Sequence, residues 1–212
     1  MILLNKLIMD MPSSKLRYLL GADHKKWSFS DTVSLTYVTP DIIANKIIEL
    51  ADEHFHGLSD KVIWDMFAGI GADALRLSKF AGKVICTEIN PVTFADLKEN
   101  YSCCNSRNVD LINGDCSRYK GTPCDIVYFD PPWGDTFRSG VPFDFDDVVL
   151  EGDVSVLKLA KEMHDRHSII IKSPILSDSF EKLFKECPMK IFTFTQQKLK
   201  FIFIAWSTPR AH

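Results

Sequence analysis

The run Asp125-Ile-Val-Tyr-Phe-Asp130-Pro131-Pro132-Trp133-Gly134 ends an apolar stretch on a carboxylate, two prolines and an indole. Two successive prolines remove two backbone donors and fix φ twice, so the turn is rigid and presents carbonyl oxygens together with the Asp130 carboxylate. A set of acceptors without donors suits a planar amine. It orients the amine hydrogens, localises the nitrogen lone pair and assists attack on an electrophilic methyl group, while Trp133 offers a face for a stacked base. A stiff turn beside a buried Trp is the plainer reading of the same residues.

Upstream, Val62-Ile-Trp-Asp65-Met-Phe67-Ala68-Gly69-Ile-Gly71-Ala-Asp73 reads as a strand entering a glycine turn that opens a helix. Glycines at 69 and 71 let backbone approach a ligand and aim helix N-terminal N–H groups at it. The third glycine of a dinucleotide fingerprint is missing, which disfavours that rival. Glu88, about twenty residues further on, falls at the tip of the next strand, where a carboxylate accepts ribose hydroxyls. Asp115, after Asn113-Gly114, puts an acid at the end of the third strand, placed to accept an adenine amine. Three successive strand ends with ligand-type groups imply a nucleoside-containing cofactor.

These residues require a frame, and the hydrophobic pattern supplies one. Buried strands are expected at 62–66, 83–87, 109–112, 125–129 and 168–172, and helices at 72–80, 91–101 and 148–164. Alternation at this spacing predicts βαβ crossovers and an α/β, doubly wound, mostly parallel Rossmann-like sheet. Thr39-Pro40-Asp41 predicts a helix start with Thr39 as cap, running to about His54. The tail departs from alternation: a helix over 177–186, then runs at 189–195 and 199–206 that predict a C-terminal antiparallel β-hairpin. Residues 1–36 read as an N-terminal arm, partly helical and able to act as a lid on the substrate pocket; 37–212 read as the catalytic domain.

The 212 residues suffice for one full α/β domain and little more. With 46% hydrophobic and 25% charged residues the chain should fold around a core of its own. A net charge of -3 argues against a protein that coats long nucleic acids. Six cysteines without zinc-finger spacing read as reduced thiols, hence an intracellular protein, nuclear or cytoplasmic. The first nine residues are apolar but broken by Asn5 and Lys6, fitting neither signal peptide nor membrane span. His54, His56, His164 and His167 lack ligand partners at metal spacing, so no metal is expected. The stretch Asp144 to Asp147 is either a solvated loop or a lid.

The order DxFxGxG, acid after strand two, GD, then DPPW resembles the class I S-adenosylmethionine-dependent methyltransferases that modify exocyclic amines. Within that class, Tyr37-Val38-Thr39-Pro40-Asp41, Asp65-Met-Phe-Ala-Gly-Ile-Gly-Ala, Asp130-Pro-Pro-Trp-Gly and Gln197-Lys198-Leu199-Lys200 resemble the RNA cap guanine-N2 methyltransferases, or trimethylguanosine synthases. The resemblance spans about Thr36 to Trp206. It implies methyl transfer from S-adenosyl-L-methionine to the N2 amine of a 7-methylguanosine cap, and a monomer is expected. Thr39, Asp65, Phe67, Ala68, Gly69, Gly71, Glu88, Ile89, Asp115, Cys116 and Asp130 would hold the cofactor. Asp130, Pro131 and Trp133 would be catalytic, with Trp133 stacking on the cationic base. Trp133, Lys172, Pro174 and Lys198 would bind substrate. Lys15, Arg17, Lys25, Lys26, Arg138, Lys172 and Lys198 are the candidates for the cap triphosphate, with Lys172 best placed at a strand end. The alternatives are a ribosomal or transfer RNA guanine-N2 or adenine-N6 methyltransferase and, more remotely, a non-catalytic cap- or nucleoside-binding module.

Overall fold

A computed structural model of the chain describes residues 12–31, 35, 37–104, 106–132, 148–150, 154–173, 190–196 and 199–206. Its centre is a seven-stranded sheet of order β3-β2-β1-β4-β7-β9-β8. The strands are β1 (Val62–Asp65), β2 (Lys83–Glu88), β3 (Val109–Asn113), β4 (Ile126–Phe129), β7 (Ser168–Ser173), β8 (Lys190–Gln196) and β9 (Leu199–Trp206). The pairings from β3 across to β7 are parallel, and β9 joins both β7 and β8 antiparallel. This is the expected doubly wound sheet with its C-terminal hairpin. Chain order reverses at β1, which lies between β2 and β4, and ligands of open α/β sheets bind beyond the strand ends at such a reversal.

The helices are α1 (Ser13–Leu20), α2 (Asp41–His54), α3 (Ala72–Leu77), α4 (Pro91–Cys103) and α5 (Val156–His164). Helix α4 starts where Asn90 caps it, accepting from the N–H groups of Val92 and Thr93 at 2.9 and 3.3 Å, with Pro91 preset in φ. Helix α5 starts at Ser155, whose hydroxyl accepts from Lys158 N–H at 3.1 Å. That cap corrects the expected helix 148–164. Val149–Leu150 (β5) and Val154–Ser155 (β6) form a two-stranded ribbon first. Three consecutive β-branched or aliphatic residues at 148–150 fit either state by periodicity, and only the Ser155 cap sets the start. The helix expected at 177–186 lies outside the described residues.

Apolar strand residues face helices on both sides of the sheet. Ile63, Trp64, Val84, Val127, Phe129 and Ile170 are all fully buried. Each such side chain removed from water contributes roughly 1.5–3 kcal/mol. Trp64 keeps its indole N–H satisfied in this core through Thr87 Oγ1 at 2.8 Å. Five described cysteines, Cys86, Cys103, Cys104, Cys116 and Cys124, are free thiols.

The arm is docked on the domain. Leu19, Leu20, Phe29 and Leu35 form a second apolar cluster with Ile70. Around it, Arg76 of α3 donates to Asp41 Oδ1 at 2.8 Å, to Leu19 O at 2.9 Å and to Ala72 O at 2.7 Å. From α4, Asn100 bonds both N–H and carbonyl of Ser28, and Asp96 accepts from the N–H and hydroxyl of Ser30.

Candidate functional site: a cavity at the strand ends

At the carboxyl edge of the sheet a cavity of about 540 Å³ opens between the ends of β1, β2, β3 and β4. Of the predicted cofactor residues, Thr39, Asp65, Phe67, Ala68, Gly69, Glu88, Ile89, Asp115, Cys116 and Asp130 line it, and so does Pro131. Tyr18, Leu19 and Asp31 of the arm and Tyr37 also line it. Thus the arm contributes directly to the wall. No helix among the described residues is long and apolar enough to cross a membrane, and no cluster among them has the make-up of a metal site.

The turn after β1 is knitted to both neighbouring strands. Met66 N–H donates to Tyr128 O at 3.1 Å and Ala68 N–H to Thr87 O at 3.0 Å. Gly69 stands at φ +54°, and a Cβ built there meets nothing within 4 Å because it would point into open space. Gly71 behaves otherwise. It is absent from the lining, and at φ +91° its missing Cβ makes room for Leu97 Cδ1 at 2.6 Å and Tyr101 Cε2 at 3.2 Å. The bare Cα of Gly71 thus lets α4 pack against the turn. Nor is the Gly69 N–H free for a ligand, since it donates to Glu88 Oε2 at 3.0 Å.

Glu88 Oε1 accepts from Asn90 N–H at 2.7 Å. Burial raises the Glu88 carboxyl above its ordinary value, opposed by these two backbone donors. Each carboxylate oxygen has a second lone pair, so the group retains acceptor capacity for a vicinal diol. Asp115 caps a 3₁₀ turn over Cys116–Tyr119 by accepting from Ser117 N–H at 2.7 Å, and its buried carboxylate faces the same cavity. Cys116, beside it, is an inert apolar wall: burial, helped by the Asp115 charge, pushes its thiol up to about 12.

A cluster that the sequence reading missed sits under the Pro-Pro turn. Asp73 Oδ2 accepts from Thr39 Oγ1 at 3.0 Å, Tyr128 OH at 2.9 Å and Lys172 Nζ at 2.8 Å. Lys172 also bonds the Thr39 hydroxyl and forms an ion pair with Asp130. The register explains the meeting. Phe129 of β4 lies opposite Ile171 of β7, so Asp130 and Lys172 come side by side, and Tyr128 shares their face by alternation. Thr39 is spent in this cluster and does not cap α2, whose N-cap is Pro40.

Lys172 is only 1% exposed. Its assignment to the triphosphate is thus replaced by a buried structural one: an ammonium held between two carboxylates is not presented to a phosphate chain. Burial would depress its pKa, but Asp130 and Asp73 outweigh that and hold it above the ordinary lysine value. Asp73 is held below the usual carboxylate range, Lys172 and Arg76 overcoming burial. Burial pushes Asp130 up to about 7, restrained by Lys172 and assisted by the Asp73 charge. Asp65, buried and accepting from Phe67 N–H at 3.2 Å, is raised well above its usual value by burial and by Asp73.

Lys15, Arg17 and Lys25 are exposed on the arm, and Lys26 pairs with Asp23 at 2.9 Å. Trp133, Arg138, the acidic stretch 144–147, Pro174 and Lys198 lie outside the described residues.

The chain is similar to known methyltransferases in sequence and in fold. It is 31% identical over 94 residues to an uncharacterized RNA methyltransferase of Chlamydia muridarum, covering 42% of this chain and 23% of that protein. The chain spans less than half the length of the curated relatives it matches. Its fold resembles a precorrin-6y C5,15-methyltransferase of Geobacter metallireducens, with a TM-score of 0.62 at 14% identity over 89% of this chain and 98% of that one. It also resembles an RNA methyltransferase of Salinibacter ruber solved with S-adenosyl-L-homocysteine, with a TM-score of 0.53 at 14% identity over 82% and 95% of the two chains. The family described as Conserved hypothetical protein 95 matches residues 36–141, which take in the glycine turn, Glu88, Asp115 and the Asp130-Pro-Pro turn, and the chain belongs to that family.

Proposed function

We propose that this chain is an S-adenosylmethionine-dependent methyltransferase acting on an exocyclic amine of RNA, with a guanine N2 or adenine N6 of ribosomal or transfer RNA as the favoured target. The observation that carries the reading is the position of Asp130-Pro131-Pro132 beside a cavity that Asp65, Glu88 and Asp115 also line from three further strand ends. Sequence relatives bearing the name RNA methyltransferase support the RNA substrate. None of the names quoted above refers to a cap, so the cap N2 amine is the second reading. Trp133 next to the Pro-Pro turn is the feature that favours it, because a cationic base stacks well on indole.

Bound at this edge, S-adenosylmethionine would supply a sulfonium-activated methyl, transferred as the amine lone pair forms the N–C bond and the C–S pair returns to sulfur. Glu88 would hold its ribose and Asp115 its adenine. Asp130 and the Pro131 carbonyl accept the amine hydrogens and turn the lone pair toward the methyl. The nitrogen must also lose a proton, and a carboxylate with a pKa of about 7 is matched to receive it.

Methyl-labelled cofactor, a panel of unmodified ribosomal and transfer RNA transcripts, cap analogues and nucleoside mass analysis test this. Methylguanine or methyladenine in the RNAs is expected. Asp130→Ala should lower transfer by about 10²- to 10⁴-fold with S-adenosylhomocysteine affinity within threefold of wild type. Label only in m7GTP would select the cap reading, and label in no RNA or cap would overturn both.

A further inference from the structure

We propose that Lys172 is a positioning residue for the reaction: buried between Asp73 and Asp130, it keeps the Asp130 carboxylate ionised and aimed as an acceptor at the end of β4. The inference rests on the methyltransferase reading for its consequence in catalysis, but the electrostatic claim stands on the ion pair itself.

A carboxylate that must accept amine hydrogens is useless when protonated, because it then presents a donor to a donor. Asp130 is close to that fate. Its electrostatic neighbours among the described residues include Asp65 on β1, Asp73 at the start of α3, Tyr128 on β4 and Lys172 on β7, and the Asp73 charge opposes its ionisation. The cation among these described neighbours is Lys172, an ion-pair partner of both Asp130 and Asp73. Asp73 in turn fixes the ammonium: Thr39 and Tyr128 donate to the same Oδ2 that Lys172 contacts. Thr39 belongs to the segment that leads from the arm into α2, and Asp73 to the first turn of α3. The cluster therefore ties three segments to the acceptor.

Carbon-13 NMR of aspartate carboxyls, with the Asp130 signal assigned through Asp130→Asn, reads the claim directly. Lys172→Met should raise the Asp130 midpoint by about one to three pH units, the effect of losing an adjacent opposite charge. Lys172→Arg should leave it within about half a unit. Asp73→Asn removes a like charge and should lower it, a shift of opposite sign that needs no Lys172 variant to fold. In transfer assays the acidic limb of kcat should move up in Lys172→Met by the same amount as the carboxyl midpoint, with KM for the cofactor changed less than threefold. An unmoved Asp130 midpoint in Lys172→Met, or an upward shift in Asp73→Asn, overturns the proposal whether or not RNA is methylated. Wild-type protein that methylates no RNA, while both shifts appear, would instead sink the functional reading and leave the ion pair standing.

Discussion

Gly69 and Gly71 stand two residues apart in one turn, yet substitution should separate them into a binding defect and a folding defect. In Gly71→Ala the new Cβ would sit 2.6 Å from Leu97 Cδ1 and 3.2 Å from Tyr101 Cε2, both on α4. Leu97 is fully buried and Tyr101 nearly so, which leaves little space for either to retreat. Overpacking of this kind costs about 1–3 kcal/mol. A left-handed φ of +91° adds roughly 1–2 kcal/mol for a residue with a Cβ. The sum is about 2–5 kcal/mol, or roughly 4–20 °C in Tm for a domain of this size. Gly69→Ala carries only the backbone part, about 1–2 kcal/mol, since nothing lies within 4 Å of its Cβ. That Cβ instead occupies cavity space. Differential scanning calorimetry and titration with S-adenosylhomocysteine, applied to both variants, provide the comparison. The expected pattern is a large Tm loss with near-native affinity at position 71, and a small Tm loss with affinity reduced tenfold or more at position 69. Equal Tm losses, or a position-71 variant that melts like wild type, would refute the division between a packing glycine and a site glycine.

Three further outcomes follow from the same geometry. Glu88→Gln replaces an acceptor of two backbone N–H groups by one acceptor oxygen and a donor, so S-adenosylhomocysteine affinity should fall by about 10- to 100-fold with a stability loss near 1–3 kcal/mol, read by calorimetry. Asp65 has a folded pKa raised by burial, so the native state binds the extra proton; its contribution favours folding at low pH and is lost as pH climbs from the ordinary aspartate value through the folded one. Asp65→Asn should accordingly raise Tm at pH 8 by a few degrees, change it less at pH 5, and weaken cofactor binding; a lower Tm at pH 8 would contradict the assignment. Arg76→Met removes the buried cation that Asp41 and the Leu19 and Ala72 carbonyls share. With Asp41 partly solvated, the loss is that of the unmade carbonyl bonds, about 1–3 kcal/mol, and limited trypsin digestion should then cut at Arg17 and Lys25 well before it cuts the wild-type arm.

The parts of this molecule that were legible in the sequence share a cause: each is dictated by neighbours along the chain. Strand and helix periods and the two prolines after Asp130 act locally, so β1 to β4, β7 and the terminal hairpin could be placed within a residue or two. The strand-end carboxylates were legible for a related reason. In a parallel sheet every strand points the same way, and a residue just after a strand is automatically on the ligand edge. The short ribbon at 148–155 was hidden because its apolar residues satisfy helical and extended periods alike.

Long-range contact decided the rest. Nothing local separates Gly69 from Gly71; only the approach of α4 does. Lys172 reads as a cation at a strand end, fit for a phosphate, until the β4–β7 register sets it against Asp130 and the first turn of α3 supplies Asp73. The sequence by itself determined which carboxylates reach the edge of the sheet. The tertiary structure determined their charge, because burial and the nearest opposite charge, not residue type, set whether Asp65, Asp73 and Asp130 are ionised.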